Sequence, residues 1–175
     1  YGDLFSGIGC VPLALTQMGI EFDYRFACEI DKECRKNLTT NFKPEKVFED
    51  VETIKALPHV DFLTAGFPCQ PFSSANRKNA GKKHPKYNLF KSLLKCIRLS
   101  KPKVLLLENV HALSFKTNKA YMNSMIQQIE RLGYKVSWKL LDSVNYGSPI
   151  MRKRVYIVGT QKEVVTVFVS LNCLT

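Results

Sequence analysis

Apolar residues follow two rhythms along the chain, dense short runs and repeats at helical spacing, and the two alternate. Tyr1-Gly2-Asp3-Leu4-Phe5 predicts a short strand that breaks at the turn Ser6-Gly7-Ile8-Gly9. Pro12 suits the first turn of a following helix, where its missing N–H costs nothing, and Leu13, Leu15 and Met18 carry that helix to a stop at Gly19. Phe22 to Ile30 predicts a second strand, Asp31 can cap a basic helix through Leu38, and Val47-Phe48 leads a short third strand to Asp50. Val60 to Ala65 is a fourth strand, ending at Gly66. From there to about Lys86 the chain is rich in Pro, Gly, Ser, Asn and Lys, which predicts a long loop of the kind that carries function in compact domains. A helix at Tyr87–Leu99, an apolar strand at Lys103–Leu107 and an amphipathic helix at about Asn118–Leu132, stopped by Gly133, come next. Tyr134–Leu141 and Val155–Val158 read as two more strands, and Val164–Val169 is a further candidate.

Strands alternating with helices imply right-handed βαβ units, hence an α/β fold with a mostly parallel sheet and helices on both faces. In such sheets ligands bind beyond the carboxyl ends of the strands. Neither a repeat nor a low-complexity tract interrupts residues 1–160, which are expected to form one catalytic and cofactor-binding domain. Residues 161–175 are expected to begin a truncated or separately supplied C-terminal region.

At 175 residues, with 45% hydrophobic and 23% charged positions, the chain can bury a substantial core. Its densest apolar runs, such as Val104-Leu105-Leu106-Leu107, are strand-sized, so no membrane span is expected. The net charge of +11 points to an acidic polymer as partner, nucleic acid first among them. Cysteines at 10, 28, 34, 69, 96 and 173 form no Cys-x-x-Cys pair, which argues against a zinc site or a redox couple and fits a reduced intracellular compartment.

Four constellations carry chemistry. In Phe5-Ser6-Gly7-Ile8-Gly9 the glycines let the backbone turn tightly and approach a ligand. Glu29, beside Ile30 and twenty residues after Gly9, ends the second strand where a carboxylate can bind ribose hydroxyls. Asp50, ending the third strand, can receive an adenine amino group, so a nucleoside-bearing cofactor is indicated. Pro12 occupies the place of the third glycine of a dinucleotide fingerprint, which argues against NAD. Gly66-Phe67-Pro68-Cys69-Gln70-Pro71-Phe72-Ser73 sets a thiol between two prolines at a strand's carboxyl end, a setting that suits a directed nucleophile better than core packing. Glu108-Asn109-Val110 ends the apolar strand expected beside it, so Glu108 can face the same cleft as an acid. Arg152 and Arg154 alternate, so both point to one face of an extended strand, where two guanidiniums suit an anion or a carbonyl oxygen.

These motifs in this order, from Asp3-Leu4-Phe5-Ser6-Gly7-Ile8-Gly9 through Pro68-Cys69-Gln70 and Glu108-Asn109-Val110 to Tyr146-Gly147-Ser148-Pro149 with its paired arginines, resemble the cytosine-C5 DNA methyltransferase family over about residues 1–160. The resemblance implies a Rossmann-like methyltransferase fold that uses S-adenosylmethionine and releases S-adenosylhomocysteine. It implies that Phe5, Ser6, Gly7, Ile8, Gly9 and Ile30 line the cofactor pocket, that Glu29 holds the ribose, that Asp50 and Val51 meet the adenine, and that Pro68 and Leu89 complete the wall. It further implies that Cys69 attacks C6 of a cytosine flipped from double-stranded DNA, that Glu108 contacts N3, that Arg154 approaches O2, and that Arg152 supports the thiolate's surroundings. Gln70, Ser73, Ser74, Arg77, Lys78, Lys82, Lys83 and Lys86 become candidate DNA contacts, the basic ones binding phosphate without reading sequence.

Three departures stand out. Cys10 replaces a glycine common after Gly9, Ile150 stands where the family usually has Gln, and the family's usual target-recognition domain and final segment do not follow the paired arginines. A second chain supplying recognition and the end of the cofactor pocket is therefore an expected partner, with truncation the alternative. Two readings of other classes remain: a non-catalytic regulatory or DNA-binding subunit, expected to lose Cys69, Glu108 or the glycine turn, and a nicotinamide-dependent oxidoreductase, which leaves Cys69 and Glu108 unused.

Overall fold

The computed structural model describes residues 1–68 and 87–162. The elements in chain order are β1 (Gly2–Leu4), α1 (Cys10–Gln17), β2 (Phe26–Cys28), α2 (Lys32–Asn41), β3 (Val47–Phe48) and β4 (Phe62–Gly66). After them come α3 (Tyr87–Ser100), β5 (Val104–Val110), α4 (Lys119–Glu130), β6 (Tyr134–Asp142) and β7 (Lys153–Gln161). The strands form one sheet in the order β3-β2-β1-β4-β5-β7-β6. The first five are parallel to one another, while β7 runs antiparallel to both β5 and β6. That reversal follows from connectivity: no α-helix separates β6 from β7, so they pair as a hairpin rather than through a crossover. Among the described residues no helix is long and apolar enough to cross a membrane.

The two faces of the sheet are legible in its core. Phe26 and Cys28 of β2 belong to the larger apolar cluster, with Leu63, Leu105 and Leu107, and the intervening Ala27 belongs to a second cluster with Tyr1, Tyr24 and Leu38. Residues of α3 and α4 join the first cluster, and Val11, Leu15 and Phe42 around α1 and α2 join the second, so helices cover both faces. On α3 the buried residues include Phe90, Leu93, Leu94 and Ile97, spaced i, i+3, i+4, i+7 as one helical face requires, with Cys96 and Ser100 buried beside them. Asp31 caps α2 as its position predicts, its side chain accepting from the Cys34 amide at 2.8 Å. Chain direction across the sheet reverses between β1 and β4, and the turn after β1 and the segment after β4 leave the sheet side by side there. This is the switch point at which open α/β sheets bind ligands.

Candidate active site

Leaving β1, Phe5 adopts the left-handed region at φ 57, followed by Gly7 at φ 52 and Gly9 at φ 90. For a non-glycine this conformation costs roughly 1–2 kcal/mol, and it persists because the turn is held from several sides. The buried Ser6 donates its amide to the Cys28 carbonyl at 3.1 Å and its hydroxyl to the Asp3 carbonyl at 3.1 Å. Gly7 donates its amide to Glu29 Oε2 at 2.8 Å, and the Asp31 amide donates to Glu29 Oε1 at 3.0 Å. Each carboxylate oxygen is thus oriented by one amide and keeps capacity for another donor. Ile8 within the turn and Ile30 beside Glu29 are 58% and 75% exposed, apolar side chains next to an aimed carboxylate. This donor set fits a nucleoside, whose ribose hydroxyls need an acceptor and whose base needs an apolar surface. Asp50 accepts from the Glu52 amide at 2.9 Å, so its carboxylate also shapes its own turn, and the adjoining Val51 is buried. Pro68 is half-buried, and Leu89 packs against the main core.

Glu108 stands in register with Gly66 of β4 on one side and Tyr156 of β7 on the other. Its Oε1 pairs with Arg154 Nε at 2.8 Å, with 34% and 21% of the two side chains exposed. The pair belongs to a cleft of about 380 Å³ whose other lining includes Leu141, Tyr146, Arg152 and Tyr156. Burial, reinforced by the charge of Glu108, raises the Tyr156 phenol above its ordinary pKa. Asn109 is buried; its Nδ2 donates to the Phe67 carbonyl at 3.0 Å, and its Oδ1 accepts from the Val110 amide at 2.8 Å. The backbone leading into Pro68-Cys69 is therefore tied sideways to β5. A larger cleft, about 760 Å³, opens at the amino ends of β1 and β4 and is lined by Tyr1, Phe22, Asp23, Arg25, His59 and Asp61. It contains none of the motif residues, so chemistry rather than volume locates the site.

Arg152 and Arg154 reach the same cleft, as their alternation predicts, although Arg152 precedes the first residue of β7. Cys69, Gln70, Ser73, Ser74, Arg77, Lys78, Lys82, Lys83 and Lys86 lie outside the described residues. Cys28 and Cys96 are pushed up by burial to about 12 and about 11, which makes them inert packing residues. His59 bonds the Ser100 carbonyl at 3.0 Å, and His111 packs edge-on against Phe115, so both are structural. Sequence reasoning gave no role to Tyr156 or to the side chain of Asn109. The signal for Tyr156 was its two-residue step from Arg154, which puts both on one face of a strand.

Asp3 lies beneath the turn, 3% exposed, accepting from Thr64 Oγ1 at 2.6 Å. Burial raises its carboxyl from the ordinary 3.8 to about 7. The folded chain then keeps a proton that the unfolded chain loses near 3.8, so stability falls as pH rises through that window and levels off above about 7. Asp3→Asn is expected to flatten this slope. Urea midpoints at pH 5 and pH 8 measure it: the wild type should lose more than the variant between the two.

The family described as C-5 cytosine-specific DNA methylase matches residues 1–172. Type II methyltransferase M.BanI of Aneurinibacillus aneurinilyticus is 38% identical over 161 residues, covering 90% of this chain and 37% of that protein. Type II methyltransferase M.NgoBI of Neisseria gonorrhoeae is 38% identical over 159 residues, covering 90% of this chain and 49% of its own length. The chain spans about half or less of the length of these curated relatives. Among solved structures, the S. pombe Dnmt2 methyltransferase superposes with a TM-score of 0.72 at 22% identity, over 91% of this chain and 50% of that one. That likeness speaks for the fold.

Proposed function

Because the chain belongs to the C-5 cytosine-specific DNA methylase family, we propose that it transfers a methyl group from S-adenosylmethionine to C5 of a cytosine flipped out of double-stranded DNA. The observation that carries this reading is the Glu108–Arg154 pair, set in a cleft beside the backbone that Asn109 ties ahead of Cys69. A carboxyl and a guanidinium 2.8 Å apart match the N3 and O2 edge of a pyrimidine, one offering a proton and the other fixed donors.

On this reading Cys69 forms a bond to C6 while Glu108 delivers a proton to N3, so the electron pair displaced from the C5–C6 double bond collects at C5. Arg154 donates to O2, and Arg152 keeps the surroundings of the thiolate electropositive. When bound, S-adenosylmethionine would supply the electrophilic methyl group that C5 takes, with S-adenosylhomocysteine as its product. Return of the N3 proton to Glu108 and loss of the C5 proton to water then restore the ring's double bonds and expel Cys69. Phe5, Ser6, Gly7, Ile8, Gly9 and Ile30 would line the cofactor pocket, with Glu29 at the ribose, Asp50 and Val51 at the adenine, and Pro68 and Leu89 closing the wall. Gln70, Ser73, Ser74, Arg77, Lys78, Lys82 and Lys83 would meet the DNA, and a complementing segment or partner chain would read its sequence.

Calorimetry with S-adenosylmethionine and with NAD tests the cofactor. The wild type is expected to bind S-adenosylmethionine alone, and Glu29→Ala to weaken that binding roughly tenfold to a hundredfold, the range for bonds to a charged acceptor. Tight binding of NAD alone overturns the reading.

A further inference from the structure

The backbone ladder of the β6–β7 hairpin ends at the pair Asp142 and Lys153. One step beyond it, Ser143 and Arg152 keep half of a ladder bond, the Ser143 amide donating to the Arg152 carbonyl at 3.2 Å. The returning half is not made by backbone, because the chain turns into a 3₁₀ segment at Ser143–Tyr146 and the Ser143 carbonyl accepts instead from the Ser148 amide at 3.1 Å. The Ser143 hydroxyl takes the vacated role: it accepts from the Arg152 amide at 3.0 Å and donates to the Ile150 carbonyl at 2.5 Å. Ser148 adds a second hydroxyl to the same carbonyl at 3.1 Å. Ile150, standing where the family usually has Gln, therefore braces the loop through its backbone while its side chain is 71% exposed.

We propose that Ser143 is a positioning residue for Arg152, its hydroxyl replacing the backbone acceptor lost at the turn and so fixing the direction from which the guanidinium enters the Glu108–Arg154 cleft. A long exposed side chain has many rotamers, and the orientation of its backbone is what limits the region it searches. Arg154 needs no such device, since β7 pairs it on both sides, with Val110 and with Leu141. The inference rests on reading this cleft as the cytosine site.

Two measurements on the full chain test it separately from that reading. Amide exchange of Arg152 by NMR reports the bond itself: Ser143→Ala should speed it about tenfold or more, and Ser143→Thr should restore protection. An unchanged rate overturns the proposal whether or not the chain is active. In methyl transfer to DNA, Ser143→Ala should lower kcat about fivefold to tenfold, the worth of one hydrogen bond, with KM for S-adenosylmethionine unchanged. In an Arg152→Ala background the same substitution should add nothing; additive losses would show that Ser143 acts elsewhere. Absence of methyl transfer in the wild type would count against the function, while the exchange rates would still decide the role of Ser143.

Discussion

Glu108→Gln is expected to lower the rate of methyl transfer by roughly a hundredfold to ten-thousandfold, the contribution of a positioned general acid, without changing affinity for S-adenosylmethionine. Gln keeps the shape of the side chain, and its amide oxygen can still accept from Arg154 Nε, now 2.8 Å from Oε1. What it cannot do is transfer a proton to N3. The charge-neutral bond to Arg154 is weaker, but a pair with 34% and 21% of its side chains exposed contributes little to the fold. Single-turnover transfer of a labelled methyl group, with saturating cofactor, isolates the effect. A variant as fast as the wild type would remove Glu108 from the chemistry.

The second large effect is expected at Gly9. With φ at +90, a side chain there is strained, and an added Cβ would lie 2.4 Å from Phe42 Cε2 and 3.1 Å from Leu38 Cδ2. Leu38 is fully buried and Phe42 packs in the same cluster, so neither ring nor methyl can swing away freely. Strain of about 1–2 kcal/mol and overpacking of about 1–3 kcal/mol together predict that Gly9→Ala lowers the thermal midpoint by roughly 5–15 °C. The displaced turn should also abolish cofactor binding. Gly7 is the control: its φ is +52, but nothing lies within 4 Å of an added Cβ, so Gly7→Ala should show the strain alone. Calorimetric melting of the two variants checks both, and equal midpoints would contradict the packing account.

Local patterns foretold the elements whose causes are local. The cap at Asp31, the helical face of Phe90, Leu93, Leu94 and Ile97, and the turn at Gly7 and Gly9 all follow from residue type and spacing. Boundaries set by distant partners were less legible. Phe22 to Ile30 reads as one strand, yet β2 holds only Phe26–Cys28, because Phe22 and Tyr24 turn their rings to Tyr1 in the second cluster. The apolar strand reads as Lys103–Leu107, yet β5 continues through Glu108 to Val110. There β7 pairs with every residue, and Asn109 satisfies its polar atoms internally.

The candidate site divides in the same way. Residue types announced Glu29, Glu108, Arg152 and Arg154, and the fold brings the last three to one cleft. The bonds that orient them were hidden. Asn109 reaches Phe67 across 42 positions, and the hydroxyl of Ser143 stands in for a carbonyl that only the hairpin's geometry removes.

A covalent bond from Cys69 to C6 of the target base is detected most directly by trapping. A duplex carrying 5-fluorocytosine at candidate sites is incubated with S-adenosylmethionine and the chain, or with Cys69→Ser, alone and with lysate from the source cell. Fluorine at C5 cannot leave as a proton does, so a working nucleophile stays attached through denaturing electrophoresis. An adduct that requires Cys69 is expected. An adduct that persists in Cys69→Ser, or none from the wild type under any condition, would contradict it.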